Sequence, residues 1–164
     1  MFELKRLSVE AIPGALAKAE RYRLLNEPMQ AESICRDILA ADPSNRPALV
    51  MLLLSLTDQF GQGINAQDAL KVAAKLTDEY ERAYYSGIVH ERRALALFRQ
   101  GDFRAGQPIH ALLQVAMQWY ETAQPLRPAG NDDSLLRWNA CARFLTRHAY
   151  LCPEREIAEC VLSE

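Results

Sequence analysis

Apolar residues in this chain return every three or four positions and almost never every second one, and prolines and glycines break the pattern at short intervals. Spacing of i, i+3 and i+4 lines apolar side chains along one stripe of a helix, whereas a half-buried strand needs alternation. The first helix is expected to open between Ser8 and Pro13, since proline is tolerated in a first turn. It runs through Leu16, Ala19, Tyr22 and Leu25 and breaks at Asn26-Glu27-Pro28. The second spans about Pro28 to Ala41, with Ala31, Ile34, Cys35, Ile38 and Leu39 on one stripe, and Asp42-Pro43 stops it. A third starts at Asn45 to Pro47 and reaches Phe60, before the Gly61-Gln62-Gly63 turn. The fourth has Asn65 as its cap and carries Ala69, Val72, Ala73 and Leu76. The fifth, about Glu81 to Gln100, puts Tyr84, Ile88, Leu95 and Phe98 on one side and ends at Gly101-Asp102. The sixth covers Phe103 to Ala123, with Pro108 kinking it or delaying its start. A loop with Pro125, Pro128 and Gly130 precedes a seventh helix from Asp132 to Tyr150, and a short eighth follows from Pro153 to Leu162. The fold class is all-α, an antiparallel array of seven or eight helices.

Composition narrows the functional classes. The chain has 164 residues, 49% apolar and 24% charged, enough for one domain with a real core. A net charge of −2 leaves no basic excess for phosphates, so nucleic acid is not the expected partner. The longest apolar run, Leu49 to Leu54, is far shorter than the roughly 20 residues of a membrane span. The segment Met1-Phe2-Glu3-Leu4-Lys5-Arg6 lacks the pattern of a secretory signal. Cys35, Cys141, Cys152 and Cys160 are accordingly read as free thiols of a cytoplasmic protein.

Residues 15–45 carry a unit of their own: Ala19 and Tyr22 in a first helix, Ala31, Cys35 and Ile38 in a second, and Asp42-Pro43 closing the pair. A weaker copy runs from Arg46 to about Tyr80. A third runs from Ala83 to about Leu113, with Ala94, Leu97, Gly101-Asp102-Phe103 and Gly106. Small residues let antiparallel helices approach, and larger ones fill the gaps between pairs. The pattern resembles the tetratricopeptide repeat, with about three degenerate units over residues 15–113. The resemblance implies a solenoid of helix pairs over residues 13–123, capped by helices in 131–164, all in one domain. It also implies a concave face lined by the first helix of each pair, the surface on which related proteins dock partners. Candidates there are Leu16, Glu20 and Arg23, then Val50, Leu54 and Thr57, then Ile88, Glu91, Arg92, Leu95 and Arg99. The clamp that some repeats use for a C-terminal carboxylate needs Lys, Asn and Arg, and Leu16, Glu20, Met51 and Ile88 stand in those places. The expected function is therefore a scaffold, accessory subunit or assembly factor with a protein partner of unknown identity.

Catalytic signals are weak. His90-Glu91-Arg92-Arg93-Ala94 begins like a zinc-protease helix, but Ala94 stands where the second histidine belongs. No phosphate-binding loop or serine-nucleophile motif is present, so neither an enzyme nor a cofactor is expected. The alternative reading is a small-ligand or metal-binding helical protein using Cys141, His148 and Cys152, which share a helical face, with Cys160 or Glu156 as fourth ligand. Trp119, Tyr120 and Trp138 flank the proline loop. They serve either the core or an exposed aromatic surface, including one between two copies of the chain.

Overall fold

A computed structural model describes residues 2–101 and 105–153. Among these residues the chain is all-helical, with seven α-helices and no strand: α1 (Ile12–Leu24), α2 (Pro28–Ala41), α3 (Arg46–Asp58), α4 (Ala66–Ala73), α5 (Glu79–Gln100), α6 (Gly106–Ala123) and α7 (Asp133–Arg147). They belong to two compact units, Met1–Thr77 and Asp78–Glu164. The expected eighth helix, with Glu156 and Cys160, lies outside the described residues, as do Asp102 and Phe103 of the expected turn. No helix of the described residues is long and apolar enough to cross a membrane.

In the first unit, Pro13 occupies the first turn of α1 and Pro28 the first turn of α2, where a missing backbone N–H is tolerated. Between them Asn26 takes a left-handed conformation (φ 60°), and the Glu27 N–H donates back to the Tyr22 carbonyl at 2.9 Å. That closes α1 and reverses the chain within three residues. Asp42 ends α2 and gathers the next turn: its carboxylate accepts from the Ser44 hydroxyl and from Asn45 Nδ2. These bonds, Asn45 first, hold its carboxyl below the usual range. Asn45 in turn caps α3, accepting from the Ala48 N–H at 3.1 Å, and Asn65 caps α4 through the Gln67 N–H. Helices α1, α2 and α3 pack in succession and α1 also touches α3, with α4 against α3. Ala19, Ala31, Cys35 and Ile38 are fully buried. Ile12, Ile38 and Ala48 gather Leu7, Ala15, Leu16, Ile34, Leu39 and Ala41 into one cluster. Helix α3 ends at Asp58 rather than at the expected Phe60, because the chain turns there into Gly61 and Gly63, both at positive φ.

In the second unit, Asp78 caps α5 by accepting from the Glu81 N–H at 2.8 Å, which starts the helix two residues earlier than expected. Gly101 (φ 70°) closes it in the left-handed conformation that side-chain-bearing residues resist. Pro108 falls in the first turn of α6, so it delays that helix and does not kink it. Helix α7 stops at Arg147, three residues short of expectation, and a 3-10 turn, Ala149–Leu151, follows. Leu151 is buried and brings that turn onto α6. Helix α6 packs between α5 and α7. A Cβ on Gly87 would meet Tyr120 Cε1 at 2.5 Å, so glycine is what lets the tyrosine ring lie against α5.

Candidate functional site

Within each unit one arginine links the first helix to the third. In the first unit Arg23, near the end of α1, reaches Asp58 at the end of α3 (Nε to Oδ2, 2.7 Å) and lies 3.9 Å from Met51 Sδ. Of the other candidates, Glu20 is exposed and Val50 and Leu54 are half-buried. Thr57 is buried, its hydroxyl donating to the Leu54 carbonyl at 2.8 Å, which removes it from the expected partner-binding set.

The second unit carries a denser arrangement. Glu91 lies on the apolar stripe of α5 and is only 5% exposed. Its Oε2 accepts from the Tyr120 hydroxyl at 2.5 Å, and its Oε1 from Arg137 Nη1 on α7 at 3.1 Å. Arg137 also bonds the hydroxyl of Tyr84, one turn from the core tyrosine Tyr80. A buried carboxylate with a hydroxyl on one oxygen and a guanidinium on the other is satisfied without water. Burial, reinforced by Glu91, pushes the Tyr120 hydroxyl far above its ordinary range, so it stays protonated and donating. Tyr84 is raised too, chiefly by burial. His90 is pulled down by burial and then by Arg93, so it is neutral at physiological pH.

These placements correct the expected partner-binding set. Glu91 and Ile88 are buried, because the middle of the α5 stripe faces the core, while Tyr84, Leu95 and Phe98 at its ends stay half-buried. Arg92 and Leu95 are half-buried, and Arg99 is exposed.

Farther along the same two helices, Phe98 meets Phe144 edge-on (centroids 5.0 Å) and the His148 ring at 4.8 Å. Phe144 and His148 lie 4.5 Å apart, and Tyr150 stands perpendicular to His148 at 5.7 Å, its hydroxyl 3.2 Å from Nδ1. The alternative metal set therefore does not assemble. His148 belongs to this aromatic row, Cys141 is buried and Cys152 half-buried, and among the described residues no three His, Cys, Asp or Glu side chains converge on a metal site. Burial pushes the Cys35 and Cys141 thiols up to about 12, which keeps both protonated and unreactive. Trp138 donates from Nε1 to Glu121 at 2.9 Å, and Trp119 is 37% exposed.

Sequence reasoning missed Arg137 and the pairing of Tyr120 with Glu91. A signal for it existed: Glu91 falls on the same helical stripe as Tyr84, Ile88, Leu95 and Phe98, and a carboxylate on an apolar stripe needs a buried partner. No protein-family model, no curated protein and no solved structure matches the chain.

Proposed function

We propose that this chain is a tetratricopeptide-like helix-pair protein, a short solenoid-type scaffold that binds a protein partner and performs no catalysis. The observation that carries this reading is the repeated arrangement of first and third helices. In both units two successive packed helices are followed by a third that an ion pair links to the first, Arg23–Asp58 in one case and Glu91–Arg137 in the other. Full burial of Ala19, Ala31, Cys35 and Ile38 fits the same pattern, since these are the small and bulky positions on which the resemblance rests. The docking residues of this reading are those left exposed or half-buried on the odd-numbered helices: Glu20, Val50 and Leu54 in the first unit, Arg92, Leu95 and Arg99 in the second.

The test is affinity capture from the native cell with the full chain, followed by cross-linking and mass spectrometry of the complex. A specific partner cross-linked to α1, α3, or the end of α5 is expected. Capture of nothing above a control bait, or cross-links confined to the outer faces of α2 and α6, would refute the reading.

A further inference from the structure

The row Phe98–Phe144–His148–Tyr150 is not used by the network around Glu91, and it lies where α5 and α7 both end. Phe98, Phe144 and His148 are half-buried, while Tyr150 is 72% exposed. Four aromatic rings packed edge-on or tilted where two helices end give an apolar surface with polar tips, the composition favoured at binding hot spots.

Charge selects what this surface accepts. From Ser134 to Pro153 the sequence holds Arg137, Arg143 and Arg147 and not one acidic residue. Arg137 is engaged by Glu91. Arg99 stands in the last turn of α5 and Arg147 in the last turn of α7, with Arg143 one turn earlier. Each helix C-terminus contributes about half a negative charge, so two of them offset roughly one of these three arginines. Among the described residues at these two helix ends, positive charge is left over. Arginine with aromatic rings also suits single-stranded nucleic acid, but that requires a long basic track along a groove. Here the arginines stand at the ends of two helices of a chain whose net charge is −2.

We propose that the ends of α5 and α7 dock an acidic segment of a protein partner, which places an apolar side chain on the rings of Phe98, Phe144 and Tyr150 and its carboxylates on Arg99, Arg143 and Arg147. This rests on the partner-binding reading above and names the chemistry of the partner.

The probe is a fluorescein-labelled peptide of Glu, Asp and Gly with one central Phe, titrated with the full chain and read by fluorescence polarisation and amide NMR shifts. Binding is expected to weaken severalfold from low to high salt. It should fall about tenfold in Tyr150→Ala and in Arg147→Glu, both at exposed positions that leave the NMR spectrum of the folded chain intact. Shifts should centre on residues 98, 144, 148 and 150. Equal affinity for the matching lysine peptide, tighter binding of a labelled uridine oligonucleotide, or shifts centred elsewhere would overturn the proposal. Peptide binding that appears only after deletion of the Glu-rich residues 154–164 would assign the surface to the chain's own segment, and a doubled mass in solution lost in Tyr150→Ala would assign it to a second copy; either overturns it. If native-cell capture of the partner survives Arg147→Glu with Tyr150→Ala while the peptide fails to bind, this inference falls and the partner-binding reading stands. If the wild-type chain captures no partner, that reading falls, and the peptide titration is judged alone.

Discussion

At Glu91 a carboxylate sits among packed helices with the Tyr120 hydroxyl on one oxygen and the Arg137 guanidinium on the other. Tyr120→Phe takes away a donor from a buried charged group, and about 1–3 kcal/mol of stability should go with it. Removing one member of a buried ion pair costs about 3–5 kcal/mol, but Arg137 is 40% exposed, so Arg137→Met should cost less, about 1–3 kcal/mol. Combined with Tyr120→Phe, Glu91→Gln should give a loss smaller than the sum of the two single losses, measured as a double-mutant cycle in urea. Gly87→Ala tests the neighbouring contact. Alanine gains up to about 1 kcal/mol in helix propensity, yet its Cβ would stand 2.5 Å from the Tyr120 ring. Overpacking of about 1–3 kcal/mol should win, and a lowered urea midpoint would show it. The thiols differ in a way that mass spectrometry can read. Iodoacetamide at pH 8 should label half-buried Cys152 while Cys35 and Cys141, held up to about 12, stay unlabelled until the chain unfolds.

Each helix boundary has its own local cause, and single substitutions should expose them one at a time. Asp78→Ala removes the acceptor that caps α5 and should cost about 1 kcal/mol in a thermal or urea melt, with Asn substitution largely restoring it. Most boundaries were legible in the sequence because they depend on nearby residues: Pro13, Pro28, Asp42-Pro43, Asn65 and Gly101 act within a turn of where they stand. The boundaries that shifted depend on something else. Asp78 lies outside the apolar stripe of α5, which begins later than the helix backbone, and α7 ends early where His148 joins Phe98 and Phe144 across the unit. The site was less legible than the fold for the same reason. Helical spacing told which residues of α5 share a stripe, but placing Glu91, Ile88 and Thr57 inside requires knowing what packs on the stripe. Arg137 is 46 residues from Glu91, and no spacing rule within one helix connects them.

For the whole molecule, pH integrates these buried groups. Cys35, Cys141 and Tyr120 all ionise less readily folded than unfolded, so above about pH 9 the unfolded chain sheds protons first and the folded one holds them. Stability is therefore expected to fall from pH 9 upward, by about 1.4 kcal/mol per pH unit for each thiol and more once tyrosines titrate. Urea midpoints at pH 8 and pH 10 check this, and Cys141→Ala should flatten the slope without abolishing it. The tie between α5 and α7 has a consequence for assembly of the second unit. Neighbouring helices of similar surface can mispair by one turn, about 5.4 Å, with little change in apolar contact. Sliding α7 one turn in one direction would set Asp133 against Glu91, carboxylate facing carboxylate. Sliding it the other way would set Cys141 there, a thiol too weak a donor to satisfy a buried charge. Of the three residues at that spacing, Arg137 alone answers the carboxylate, so Glu91 acts as a keyed tooth that admits one meshing of the helices and rejects its neighbours.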